Sequence, residues 1–186
     1  MERNVILVID MQRDFVSPDS PAYVAGAAST VPAIARFLEY GRSRGWDIVH
    51  VVRRHRPGGP DAEIFRRHLF SGSCQFCVEG SAGAEIVDGL RPYPGDYIVA
   101  KTRFDAFYAT DLEVLLRGLG TTAVYIAGTQ YPNCVRSTAV GALERDWSVT
   151  VVTDCCSAAT EAVAMANIAD VRAMGIACVS SEEIMK

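Results

Sequence analysis

Three residues of reactive type stand at the ends of three apolar runs. Asp10 follows VILVI, Lys101 follows YIVA, and Cys134 lies six residues past Gly128 in VYIAGTQYPNCVRSTA. The cysteine comes after a strand-like run and a short turn, where helical spacing is expected to begin. A helix N-terminus offers unpaired backbone N–H groups and the positive end of the dipole. Both favour a thiolate, so Cys134 is expected to carry a lowered pKa and to be nucleophilic. The same N–H groups suit a developing oxyanion. A nucleophilic sulfur needs a base, and a nearby cation sets the charge state of that base. Taken singly, Asp10 could cap a loop and Lys101 could be a solvated surface group. Together they point to attack by sulfur on a carbonyl carbon, and hence to a cysteine hydrolase.

The elements that must position these residues are legible as apolar runs. Strands are expected at 5–9, 47–52, 97–100, 123–127, 149–152 and 176–179, with helices at 31–42, 112–119, 134–145 and 159–174. The Val/Ile runs are near-continuous rather than alternating, which indicates strands covered on both faces. Strands alternating with helices imply a parallel sheet with right-handed crossovers. The expected fold is a three-layer α/β/α sandwich with a mostly parallel, Rossmann-like sheet of about six strands, formed by one domain over residues 1–186. Ligands in such sheets bind past the carboxyl ends of the strands, where Asp10, Lys101 and the Cys134 turn all fall. In a 3-2-1-4-5-6 order, Lys101 would have to reach across the second strand to join the other two. Residues 56–94, rich in Gly and Pro, are expected to form loops and a short helix over the sheet edge.

Composition narrows the class. The chain has 186 residues, 49% hydrophobic and 22% charged, with net charge −4. That balance argues against nucleic-acid binding, which needs a basic surface. The opening MERNVILVID is too short and too soon interrupted by charge to be a signal peptide. No apolar run approaches a membrane span. The expected location is cytoplasmic, the expected partner a small-molecule substrate. Cysteines stand at 74, 77, 134, 155, 156 and 178. In that compartment they are expected as thiols. Cys74 and Cys77 form a C-x-x-C that would need a second ligand pair to hold zinc, so they are expected as reduced thiols in a loop. Cys155, Cys156 and Cys178 are expected as small buried hydrophobes beside strands.

The stretches VILVIDMQRDF, EIVDGLRPYPGD, KTRFDAF with ATDLEVLLR, AGTQYPNCVRSTA and SVTVVTDCCSA follow one another over nearly the whole chain. In that order they resemble the isochorismatase-like cysteine hydrolases, a group that includes nicotinamidase and N-carbamoylsarcosine amidase. The resemblance implies a catalytic triad of Asp10, Lys101 and Cys134. It also implies a cis peptide at Thr129–Gln130, with the N–H groups of Gln130 and Cys134 forming the oxyanion hole. Pro132, in the Tyr131-Pro132-Asn133 turn, offers a second place for a cis bond. Nicotinamidases bind a metal through an Asp and two His near the second strand. Here the Asp position reads Arg53, followed by Arg54, His55 and, further on, His68. A guanidinium repels a divalent cation. No catalytic metal and no cofactor are therefore expected, and nicotinamidase is demoted as the specific activity.

Other polar and aromatic groups near these edges are candidates for substrate contact. Gln12 could bond substrate or brace a loop, whereas Asp14 is expected to tie down the loop after the first strand. Arg53, Arg54 and His55 could grip a substrate carboxylate or form a solvated basic loop. Phe15, Phe104, Phe107 and Tyr131 could wall the site or simply pack. His50 is expected as a satisfied core residue, and Asp105 either caps the following helix or orients Lys101. The favoured reaction is cleavage of a non-peptide C–N bond in a small amide or carbamoyl compound through a thioester. Vinyl-ether hydrolysis, which needs no sulfur nucleophile, and a non-catalytic scaffold are the alternatives. A homo-oligomer is expected because relatives often pair.

Overall fold

The computed structural model describes residues 3–72 and 74–186. Six strands form its sheet: β1 (Asn4–Ile9), β2 (Asp47–Arg53), β3 (Tyr97–Lys101), β4 (Ala123–Thr129), β5 (Ser148–Ser157) and β6 (Ala177–Val179). They are all parallel, in the order β3-β2-β1-β4-β5-β6. Helices α1 (Arg13–Val16) and α2 (Ala27–Ser43) precede β2, and α3 (Leu112–Gly118) precedes β4. Helices α4 (Arg136–Leu143), α5 (Glu161–Ala173) and α6 (Ser181–Ile184) complete the chain. Among the described residues no helix is long and apolar enough to cross a membrane.

The side-chain period of two explains why the strands read as continuous apolar runs. Val5, Leu7 and Ile9 of β1 join one core with Leu112 and Leu116 of α3, Ala139 of α4 and Ile168 of α5. Ile6 and Val8 point the other way, into a core with Ile34, Phe37 and Leu38 of α2. Each such buried side chain contributes about 1.5–3 kcal/mol. Both faces of the sheet are thereby covered, which gives the three expected layers.

Two stretches differ from expectation. β5 was expected to stop at residue 152, yet it runs to Ser157, because after a register shift Cys156 and Ser157 pair with Gly128 and Thr129. Residues 56–94 carry three 3-10 turns, Ile64–Ser71, Ala82–Ala84 and Asp88–Leu90, rather than an α-helix. Asp14 fastens this segment: its carboxylate accepts the Cys77 N–H at 2.6 Å. Gly83 lies so close beneath that a Cβ there would stand 2.2 Å from Asp14 Oδ2. Cys74 is exposed and Cys77 buried, both as free thiols, and Cys155, Cys156 and Cys178 are buried within strands.

Candidate active site

The same alternation aims the charged residues. Val49 and Val51 of β2 and Val99 of β3 lie in the core beneath α3–α5. Two residues further along each strand, Arg53 and Lys101 project to that same face, directly paired in register. Asp10 follows β1, fixed by its N–H to the Val51 carbonyl at 2.8 Å, with φ at 52°. Aspartate tolerates that left-handed conformation better than most residues. β4 approaches β1 through Gly128, at φ 119°, where a Cβ would lie 2.1 Å from the Ile9 carbonyl oxygen. The carboxyl ends of four neighbouring strands thus meet at one point.

Cys134 departs from expectation in its position. It lies inside a π-helical turn, Tyr131–Val135, and α4 starts only at Arg136. Pro132 and the wide turn, closed by the Val135 N–H on the Gln130 carbonyl, defer regular helix by several residues. The cis peptide is Thr129–Gln130; the bond before Pro132 is not cis.

Lys101 does reach across β2: its Nζ is 2.7 Å from Asp10 Oδ2 and 3.1 Å from the Arg103 carbonyl oxygen. Cys134 Sγ receives Arg53 Nη2 at 3.4 Å, and the Asp10 carboxylate lies close enough to raise the Cys134 pKa. Asp10 and Lys101 are each 1% exposed and Cys134 5%. This burial corrects the expectation of a lowered thiol pKa. Desolvation, followed by the Asp10 carboxylate, pushes Cys134 up, and the nearby Lys101 and Arg53 only partly oppose it.

Arg53 is also not what its neighbours suggested. It is fully buried, so the solvated basic loop is wrong for this residue, although Arg54 beside it is exposed. Its Nη1 donates to Glu63 Oε1 at 2.7 Å and to the Thr102 carbonyl, and its Nη2 to the Arg103 carbonyl. With Sγ as a fourth acceptor, no Nη donor is left to grip a substrate carboxylate. Burial alone would lower the Arg53 pKa, but Cys134, Asp10 and Glu63 outweigh it and raise it. Burial likewise works against the Glu63 carboxylate, and Arg53 overrides it to pull the pKa down. Glu63 gave no signal in the sequence, because it lies in the irregular segment with no spacing to mark it. Arg66, one turn on, is partly exposed, 3.8 Å from Glu63 and stacked 4.9 Å from the Phe104 ring centroid. Phe65 flanks Phe104 at 6.2 Å.

The remaining candidates take structural places. Gln12 accepts the Arg53 N–H and donates to the Arg53 and Ala84 carbonyls, so it is a brace between β2 and the 3-10 segment. His55 is buried between Phe70 and Phe76, with Nδ1 3.4 Å from Asp61; burial, then Arg53, lowers its pKa. Phe15 packs on Phe76, Phe107 stacks on Trp147, and the Tyr131 hydroxyl donates to the Thr153 carbonyl. Core packing accounts for all three, and of the four aromatics only Phe104 fronts the Arg53–Arg66 cluster. His50 is buried as expected, with Nε2 3.4 Å from Asp96, but its Nδ1 has no hydrogen-bond partner, so the residue is only half satisfied. Asp105 accepts the Phe107 N–H at 2.9 Å, a turn contact rather than a hold on Lys101. A groove of about 630 Å³, lined by Val52, Arg54, Ile86 and Ile98, does not include the cysteine.

The metal site implied by the resemblance does not fit these residues. Arg53 places a buried cation at its centre, His55 is turned toward Asp61, and His68 is exposed. No group of three His, Cys, Asp or Glu side chains among the described residues could hold a metal ion.

A parallel α/β sheet thus gathers a carboxylate, an ammonium and a thiol at its carboxyl edge. The chain belongs to the isochorismatase-like amidohydrolase family, the Isochorismatase domain matching residues 4–183. It is 43% identical to a probable inactive nicotinamidase of Arabidopsis thaliana, over 92% of this chain and 89% of the relative. It is 29% identical to maleamate amidohydrolase of Pseudomonas putida, over 81% and 70%. The crystal structure of an isochorismatase family protein from Desulfovibrio vulgaris superposes with TM-score 0.97 at 50% identity, over 99% of this chain and 97% of the other.

Proposed function

We propose that this chain is a cysteine hydrolase that cleaves the non-peptide C–N bond of a small amide through a thioester. The observation that carries this reading is the buried Asp10 carboxylate, held through Oδ2 by Lys101 at 2.7 Å, with Oδ1 unpartnered, at the same strand edge as Cys134. A thiol with a raised pKa needs a base beside it, and Asp10 Oδ1 is buried with no hydrogen-bond partner, free to take a proton. Asp10 takes the Sγ proton as sulfur bonds to the carbonyl carbon. The N–H groups of Gln130 and Cys134 receive the oxyanion, each donor worth about 3 kcal/mol. Collapse breaks the C–N bond, and Asp10 returns its proton to the leaving nitrogen. A water, deprotonated by the same carboxylate, then hydrolyses the thioester. The substrate we favour carries a carboxylate, as maleamate does for the Pseudomonas relative. Arg66 supports that choice, because it is the cation of the cluster with exposed surface, between the apolar rings of Phe65 and Phe104.

The test is a screen for ammonia release across small amides, ureas and carbamoyl compounds, with and without a carboxylate. Hydrolysis abolished by Cys134→Ala, with a trapped acyl adduct on the Cys134 peptide, is the expected result. A vinyl-ether hydrolase would retain turnover in Cys134→Ala. A non-catalytic scaffold is the second reading, favoured by the near-complete burial of the cluster and by the inactive designation of the Arabidopsis relative. Failure of every substrate and every adduct would select it.

A further inference from the structure

Charge around Cys134 does not balance while the sulfur is a thiol. Asp10 and Glu63 bring two carboxylates, whereas Lys101, Arg53 and Arg66 bring three cations. At the edge of the cluster Arg103 donates to the Asp61 carbonyl oxygen, while the Asp61 carboxylate accepts the Arg56 N–H, so the two add one charge of each sign. On the helical side Arg136 pairs with Asp170 at 2.5 Å, and Asp105 is turned to the Phe107 N–H. One positive charge is left over; Arg66 is partly exposed, whereas Lys101 and Arg53 are buried where water screens little.

Geometry identifies the cation that faces the sulfur. Lys101 Nζ is committed to Asp10 Oδ2 and the Arg103 carbonyl. Arg66 is engaged with Glu63 and the Phe104 ring. Arg53 donates to Sγ at 3.4 Å, and three further acceptors lock its planar fork in that aim. A guanidinium held in this way cannot rotate off its target, and it does not lose its proton in a protein.

We infer that Arg53 is a catalytic residue of this site, its guanidinium holding the negative charge that forms on Cys134 Sγ as Asp10 removes the thiol proton. The role in turnover rests on the function proposed above; the contact with sulfur does not. One proton passes from Sγ to Asp10, sulfur gains one negative charge, and Arg53 exchanges no proton. The charge then moves to the carbonyl oxygen as the S–C bond forms. Glu63, 2.7 Å from Nη1, sets how much of the Arg53 field reaches the sulfur. A fixed cation thus occupies the position where the resemblance implies a metal-binding aspartate.

The experiment follows alkylation of Cys134 by iodoacetamide in the folded full-length protein, read by peptide mass spectrometry across a pH series. The double variant Arg53→Met/Glu63→Gln removes a cation and an anion together, so the net charge of the cluster is unchanged. Its alkylation midpoint is expected to rise by at least about one pH unit, with a neutral-pH rate about tenfold lower. Glu63→Gln alone leaves Arg53 in place without its counter-ion, and its midpoint is expected to fall. An unmoved midpoint in the double variant overturns the assignment. So does an unmoved or raised midpoint in Glu63→Gln, which decides the matter if the double variant does not fold. Ammonia release is not the readout, so a failed amide screen would remove the role in turnover and leave the hold of Arg53 on the Cys134 sulfur standing.

Discussion

Lys101 and Asp10 form a buried ion pair, Nζ to Oδ2 at 2.7 Å, although a whole strand lies between the two that carry them. The register makes this possible: Lys101 is level with Arg53 on β2, and Asp10 begins one residue beyond the end of β1. The lysine stem lies over β2 and delivers its charge to the next strand. Both side chains are cut off from water, so neither charge is tolerable without the other.

Lys101→Met should therefore cost about 3–5 kcal/mol of stability, because it strands the Asp10 carboxylate. Adding Asp10→Asn should restore a large part of that loss while activity stays absent. Urea unfolding of the two singles and the double forms the cycle, and strictly additive losses would contradict a coupled pair.

The pH dependence of Cys134 follows from its burial. Its folded pKa is raised, chiefly by desolvation and then by Asp10. A raised value means the folded state holds the proton more tightly. The resulting stabilisation is present below the unfolded thiol value of about 8.5 and is lost as pH rises through the folded value. Alkylation of Cys134 should keep accelerating beyond about pH 8.5. A plateau at lower pH would show the sulfur to be an ionised thiolate at rest.

The sheet was legible in the sequence because each strand buries both faces, and a run of Val and Ile is what two covered faces require. Asp10 and Lys101 stood out because each directly follows or ends such a run, and Cys134 because it follows one across a short turn. Arg53 was visible but misread: side-chain alternation along β2 already puts it on the same face as Val49 and Val51, away from Arg54. Glu63 and Arg66 were invisible, since one precedes and the other lies in a 3-10 turn whose course depends on contacts such as Asp14 with Cys77, far apart in the chain. The thiol pKa was misjudged because helix position can be guessed from spacing, whereas desolvation depends on everything packed around the sulfur.

Arg66 should govern the choice of substrate rather than the chemistry. Its Nη1 stands 3.8 Å from Glu63, beyond hydrogen-bond reach, which leaves donors for an incoming carboxylate. Arg66→Ala is expected to raise KM for carboxylate-bearing amides about tenfold or more, with kcat little changed, and to leave neutral amides unaffected. Equal losses for both classes in steady-state kinetics would show that the arginine shapes the site and does not read the substrate.

Chelation should leave the enzyme untouched. The cation at the heart of the site is the Arg53 side chain, held by Glu63 and two backbone carbonyls. Activity after exhaustive EDTA treatment should equal that of untreated protein, and added zinc should not raise it. Recovery of lost activity by one particular divalent ion would place a metal where the guanidinium now stands.

Gly128 is the residue whose replacement should most directly pull the site apart. At φ 119° the backbone there is closed to ordinary side chains, and a Cβ would meet the Ile9 carbonyl oxygen at 2.1 Å and the Ile9 nitrogen at 2.7 Å. Neither backbone atom can move aside without shifting β1. Gly128→Ala should therefore cost on the order of 3 kcal/mol and lower Tm by about 5–10 °C. Gly45→Ala is the control: its φ is also positive, at 70°, but nothing lies within 4 Å of the added carbon. It should cost only about 1 kcal/mol. Because β1 leads to Asp10 and β4 leads to Cys134, a displacement between them separates base from nucleophile. Turnover of folded Gly128→Ala, measured well below its own Tm, should then fall far more than that of Gly45→Ala. Equal turnover in the two variants would mean that the β1–β4 approach stabilises the sheet without setting the contact on which the chemistry depends.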